Sequence, residues 1–193
     1  MAGTSLKTTN NVNNVTVGKP QITGGIYMAP SGTTLPTDAS TALSDDYKSL
    51  GYVSEDGVKV STDRSSETIK AWGGDTVATP TTGVTYSMQF TLIEYTSENV
   101  LQLVYGKEHV NVGTDGKFDA YATAEDLEEH VFVIETMDRK GDPLRMIIPN
   151  GKLTSNGETS LTDSEVAGYD VTITALPHSE DDYDGASYLV TNK

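Results

Sequence analysis

Ala167-Gly168-Tyr169-Asp170-Val171-Thr172-Ile173-Thr174-Ala175-Leu176 is the stretch that decides the fold class. Tyr169, Val171, Ile173 and Ala175 alternate with Asp170, Thr172 and Thr174. That is the two-residue period of a strand with one face on a core and the other in solvent. Valine, isoleucine and threonine suit a pleated, half-buried surface, and Pro177 ends the run.

Working outward, the same signal recurs. Val84–Tyr95 places Tyr86, Met88, Phe90 and Leu92 on one face. Val131–Met137 is an apolar strand, Asp138–Asp142 a turn, and Leu144–Ile148 the return of a hairpin. Pro149-Asn150-Gly151 reads as a further turn, followed by strands at Lys152–Asn156 and Thr159–Thr162. Upstream, Ile22–Ala29 is the first candidate strand, then a loop with Pro30, Gly32 and Pro36, then Tyr47–Val53. Asp56-Gly57 between β-type runs predicts a hairpin onto Val58–Asp63, with Val58 and Val60 alternating with Lys59 and Ser61.

Ser97–Tyr105 is the strong helix candidate. Ser97 can cap it, Glu98 sits in the first turn, and Gly106 stops it. Val100, Leu101 and Val104 form its packing stripe. Ala124–Glu129 is read as one more helical turn. The segment 64–83 is too long for a tight turn and carries Ile69, Trp72 and Val77; connections of that size usually have a task or a hairpin of their own.

The 193 residues, with no composition break and no fixed-period repeat, fit one domain. The fold class is mainly β, a β-sandwich or partly open barrel with one flanking α-helix at about 97–105. Residues 1–14 are expected as a mobile N-terminal arm, 15–178 as the β-rich domain, and 179–193 as an acidic C-terminal tail.

Composition narrows the function. There is no cysteine, which excludes disulfide scaffolds, thiolate metal sites and Cys nucleophiles. Twenty-eight acids against 13 bases leave a formal charge of −15, so no general basic surface exists to hold DNA or an anionic membrane. No run approaches 18 apolar residues, and the N-terminus has no signal-peptide core, so neither a spanning helix nor export by the general pathway is expected. Asn14-Val15-Thr16 is a sequon without a secretory context.

Candidate chemistry is thin. His109, His130 and His178 form no metal-spaced pair and read as structural or surface residues. Glu180–Gly185 partly fits a calcium loop, but Thr191 stands where a bidentate Glu is needed and no helices flank it. Asp45-Asp46 and Glu128-Glu129 are sequence neighbours, whose side chains point apart in a strand. Nucleophile elbow, phosphate loop and dinucleotide fingerprint are absent. Gly24-Gly25 and Gly73-Gly74 are turn or bulge glycines. No catalytic residue, cofactor or metal is assigned. Trp72, the single tryptophan, lies in a glycine-rich loop and suits contact with a partner; core packing and sugar stacking are the alternatives.

An ordered set of segments resembles the major tail protein, the tail tube protein, of long non-contractile-tailed phages of Gram-positive bacteria. It comprises Ser49–Gly57, Ile69-Lys70-Ala71-Trp72-Gly73-Gly74-Asp75, Phe90–Glu94, the helix Asn99–Tyr105, Ile147-Ile148-Pro149-Asn150-Gly151-Lys152 and Gly168–Pro177. The similarity runs over about residues 15–178. It implies a structural virion protein that forms stacked hexameric rings, a hollow tail tube assembled in the host bacterial cytoplasm and used for genome delivery. The partners it implies are further copies of the chain, a tape-measure protein, the tail terminator and the distal tail protein, with DNA as a passenger. Segment 64–83 becomes a candidate inter-ring loop or hairpin, anchored by Ile69, Trp72 and Val77. Some relatives carry an extra immunoglobulin-like C-terminal domain, for which no room is left here, so no surface-decorating role is expected. A ring of six would carry roughly −90 formal charges, and an acid-lined lumen would let DNA slide by repulsion. A carbohydrate-binding β-sandwich module, with Trp72 and nearby Tyr as platform, is the alternative reading.

Overall fold

The computed structural model describes residues 18–20, 25–113, 117–138, 140–159, 161–164, 166–180, 183–184 and 187–191. The arm expected over residues 1–14, and the opening of the first strand at Ile22–Gly24, lie outside the described residues. The first half of the chain contributes β1 (Lys19–Pro20), β2 (Ile26–Pro30), β3 (Lys48–Ser49), β4 (Lys59–Ser66), β5 (Ile69–Lys70), β6 (Thr76–Ala78), β7 (Thr81–Leu92) and the helix α1 (Glu98–Tyr105). The second half contributes β8 (Val110–Val112), β9 (Phe118–Ala120), β10 (Glu129–Met137), β11 (Pro143–Asn156), β12 (Tyr169–Ala175), β13 (Ser179–Glu180), β14 (Tyr183–Asp184) and β15 (Tyr188–Thr191).

The main sheet runs β3-β2-β10-β11-β12-β7-β4, with β1 added on β10 and β15 on β11. Neighbouring strands are antiparallel throughout. The fold is mainly β with one helix, and the sheet curls into a partly open barrel. Its two sides approach where Val53 bridges Leu92 and Ser54 N–H donates to Thr91 O at 2.9 Å, but no continuous ladder closes it.

Alternation puts two cores on opposite faces of the sheet. Ile26, Met28, Met88, Phe90, Leu92, Phe132, Ile134, Val171 and Ile173 fill the inside of the curl. Ala29, Val131, Val133 and Ile147 face the other way, under Leu35 and Tyr47 of the loop after β2. Burial on both faces explains why Val131–Ile134 is an unbroken apolar run. Each such side chain contributes about 1.5–3 kcal/mol on burial.

The helix adds Val100, Leu101, Leu103 and Val104 to the inner core, a stripe wider than Val100, Leu101 and Val104 alone. Ser97 occupies the cap position, but its hydroxyl makes no cap bond. Asn99 Nδ2 instead donates to Ser49 O at 2.9 Å, which ties α1 to the sheet. Tyr169 of β12 stacks on Tyr95 at 4.6 Å and meets Tyr105 edge-on at 6.2 Å.

Five expectations need correcting. The Asp56-Gly57 turn forms, with Gly57 N–H on Ser54 O at 3.0 Å, but β4 leaves it to pair with β7 and not with Tyr47–Val53. Only Lys48–Ser49 of that segment is laddered. At Gly51 (φ +75°) a Cβ would fall on the Glu94 carboxylate, so the backbone turns out of the strand there. Pro149-Asn150-Gly151 is no turn, because β11 continues through it. From Ile148 to Gly151 β11 advances three residues while β10 advances two, from Phe132 to His130, so Pro149-Asn150 forms a β-bulge, and a Cβ on Gly151 would meet Phe132 and Ile173 at 2.9 Å. That glycine serves close packing. Thr159–Thr162 shows no strand among its described residues, and Ala124–Glu129 is a bend leading into β10. Within the acidic C-terminal tail, β15 pairs with β11 along Leu144–Ile147.

Candidate functional site

From Lys59 the chain leaves the body as a long hairpin. β4 pairs with β7 from Lys59↔Gln89 to Ser66↔Thr81. The distal strands β5 and β6 continue it, with Ile69 opposite Ala78. A turn closes the tip, Ala71 N–H donating to Asp75 O at 2.8 Å and Gly74 N–H to Ala71 O at 2.9 Å. Every residue from 59 to 85 is exposed. β4 alone, at eight residues, spans about 26 Å at ~3.3 Å per residue, so this is a projecting arm.

Its two faces differ. Ser61, Asp63 and Ser65 stand beside Ser87, Thr85 and Gly83, a polar face with Ser61 Oγ 3.0 Å from Ser87 Oγ. On the other face Val60 pairs with Met88, Thr62 with Tyr86 and Arg64 with Val84. Met88 is in the core and Tyr86 packs against it, whereas Val60 and Val84 are 49% and 39% exposed. The apolar face of the core therefore runs out along the arm and loses its cover.

Ile69 and Val77 are exposed near the tip, and Trp72 is fully exposed at 106%, so Trp72 is not a core residue of this chain. Val100, Leu101 and Val104 are buried together in α1, on the body. The arm carries three bases (Lys59, Arg64, Lys70) and three acids (Asp63, Glu67, Asp75), so the whole −15 belongs to the rest of the chain.

At the opposite end of the strand order, the loop after β2 and the start of β11 border an open cleft of about 980 Å³. Arg145, 2% exposed, builds it. Its guanidinium pairs with Glu135, Nη1 donates to Asp38 O at 2.6 Å, and Nη2 donates to Thr41 O at 3.0 Å. Asp38 in turn accepts from the backbone of Ser40 and Thr41 at 2.7 and 2.6 Å. These hydrogen bonds, led by the Thr41 hydroxyl, hold its carboxyl well below the usual range. Tyr47 Oη donates to Thr34 O at 3.0 Å, and burial pushes its phenol up to about 12.

The sequence reading missed this cleft and the Val60–Val84 stripe. Glu135 and Arg145 sit at equal distances from the centre of the Asp138–Asp142 turn, which was the available signal for their cross-strand pairing. Val60 was placed on the correct face, but alternation does not tell a covered face from a bare one.

The remaining candidates fall apart as chemistry. His109 Nδ1 donates to Tyr105 O at 2.9 Å while Nε2 faces Glu125 at 3.3 Å. His130 Nδ1 donates to Glu128 O at 3.2 Å. His178 is half-buried beyond β12. Glu129 accepts from Asn150 at 2.6 Å, Glu128 faces His130, and Asp45 and Asp46 are exposed. Among the described residues no group of three His, Cys, Asp or Glu is placed to hold a metal, and no helix is long and apolar enough to cross a membrane. Of the partial calcium loop, Glu180 and Tyr183–Asp184 lie in a β13–β14 hairpin and the rest lies outside the described residues.

No curated protein matches the chain. Among solved structures it is similar to the cryo-EM structure of the anti-feeding prophage cap (AFP tube terminating cap), with a TM-score of 0.44 and 11% identity over 95% of this chain and 99% of that one. Residues 8–193 match the family described as phage tail tube protein. The chain belongs to the phage tail tube protein family, and it is a structural component of a phage tail and not an enzyme.

Proposed function

We propose that the chain is the repeating subunit of a tail tube, forming hexameric rings that stack into a conduit for genome delivery. The observation that carries this reading is the arm, whose core-continuous apolar face is covered by none of the described residues. A strand edge and an apolar stripe left bare in a monomer are what association removes. Ile69, Trp72 and Val77 are then inter-ring contacts, and 64–83 is the distal part of an inter-ring hairpin. Neutral charge on the arm fits that role, since a like-charged arm would be repelled by an acidic neighbour. Residues 1–14 are a further candidate for ordering on stacking.

The assembly would form in the host bacterial cytoplasm around a tape-measure protein, end on tail terminator and distal tail proteins, and pass DNA without retaining it. An acid-lined lumen gives the physical reason: with screening over about 8 Å, carboxylates on the wall repel phosphate and bases do not trap it. A lumen with net positive charge in the assembled tube would overturn that part. Negative-stain electron microscopy of the concentrated full chain tests the whole, with rings or hollow tubes expected. Persistent monomers that bind glycans would support the carbohydrate reading instead. That reading needs a row of aromatics, and Trp72 is the only aromatic residue between positions 59 and 85.

A further inference from the structure

The arm ends in an exposed indole, and an indole gains most from contact with a concave surface that shields it from water. We propose that the receptor is the cleft bordered by the loop after β2, on a second copy of this chain, with Trp72 of one copy seated against Tyr27, Leu43, Met137 and Pro143 of the next. The inference rests on the tube reading and names the partner surface for the same arm.

Four observations converge on this cleft. It is an open cleft of about 980 Å³, with room for an indole, and Tyr27, Leu43, Met137 and Pro143 supply an apolar patch in it. Its wall is set before anything binds, because Arg145 holds the backbone at Asp38 and Thr41 while itself paired with Glu135; a preformed site loses less order on binding. Its charged lining is balanced, with Asp45 and Glu135 against Lys48 and Arg145. The arm is balanced as well, so two neutral surfaces are set into a body that carries −15. Like-charge repulsion between copies is lower at two balanced surfaces than between two acidic ones.

The fourth observation is that arm and cleft are different surfaces. The cleft is built from β2, β3, β10 and β11 and the arm from β4 and β7. A contact between two different surfaces of identical chains is head-to-tail. Such a contact leaves one arm and one receptor free after every addition, and so propagates. The rival surface is the β8–β9 hairpin, where Val112, Phe118 and Tyr121 are 48%, 39% and 51% exposed. It is a small projecting hairpin, with no concave wall to shield an indole.

Two properties of the sequence make the test clean. Trp72 is the only tryptophan and there is no cysteine. Emission from the wild-type full chain should move to shorter wavelength as concentration brings on assembly. In Ala42→Glu, which places a charge at the mouth of the cleft on an exposed residue, that shift should be lost while the far-ultraviolet circular dichroism spectrum stays unchanged. Trp72→Cys mixed with Ala42→Cys under mild oxidant should give disulfide-linked dimers at several-fold the yield of either variant alone. Cross-linking of Trp72→Cys to Tyr121→Cys in preference, with tubes still visible by electron microscopy, overturns the cleft and leaves the tube reading standing. No tubes and no emission shift at any concentration overturn both.

Discussion

The two halves of β7 make the most instructive comparison in this molecule. Met88, Phe90 and Leu92 are 1%, 2% and 0% exposed; Val84, four residues before Met88 on the same face of the same strand, is 39% exposed. The inner half is laddered to β12 and, as far as Gln89, to β4 as well; the outer half is laddered to β4 alone. Pleat and propensity are alike along the strand. What changes is that the outer half loses one neighbouring strand and the layer that covers its apolar face. The inner half stabilises the chain, and the outer half has surface left over for another chain.

Substitutions should separate the halves sharply. Phe132→Ala, in the core beneath the inner half, should cost about 3–5 kcal/mol, read as a lower urea midpoint of the monomer. The turn out of β3 comes next. Gly51→Ala should destabilise by more than about 1–2 kcal/mol, because a left-handed backbone is joined by collision with Glu94. Gly32→Ala, at φ +83° with nothing within 4 Å, should show the backbone cost alone, and equal losses at the two sites would remove the argument for a Glu94 clamp.

On the arm the order reverses. Val60→Ser with Val84→Ser, or Trp72→Ala, should change the monomer's stability by no more than about 0.5 kcal/mol, yet sharply reduce tube formation by electron microscopy. A large fall in the urea midpoint for these variants, with no selective assembly defect, would collapse the distinction between the halves.

The smallest effect is a pH dependence in the body. Burial lowers the pKa of His130, with Glu128 partly offsetting it. The folded state then favours the neutral ring, and the unfolded chain takes up the proton first. Stability is therefore full above about pH 6.5, the unfolded value, and declines as pH falls through it toward the lower folded value. His130→Asn should flatten that part of the urea midpoint's pH profile, while arm variants should leave it unchanged.

What was legible in the chain followed from locality. The alternation of Tyr169–Ala175, the apolar run of Val131–Met137 and the stripe of α1 each depend on a few adjacent residues, and the strands and helix lie there. Pairing was harder. β4 had two possible partners, and the choice of β7 depends on an edge more than a dozen residues downstream. Pro149 and Gly151 resembled turn residues. Glycine's missing side chain makes room there for Phe132 and Ile173, a need that appears only once three strands are assembled. For the site, Ile69, Trp72 and Val77 were visible as apolar residues in an unusual loop. The cleft was not, because it draws on residues from Tyr27 to Arg145.

β7 has a last consequence, which is mechanical. It passes without a break from the exposed arm into the body, where Tyr86 to Leu92 are laddered to Ala175 through Tyr169 of β12. A pull on the arm along its length therefore loads those rungs together in shear, and does not peel them one at a time. In a tube joined through this arm, as proposed above, the arm side of each contact is anchored along the strands of the sheet, so strain from bending passes into the core of the subunit that extends the arm.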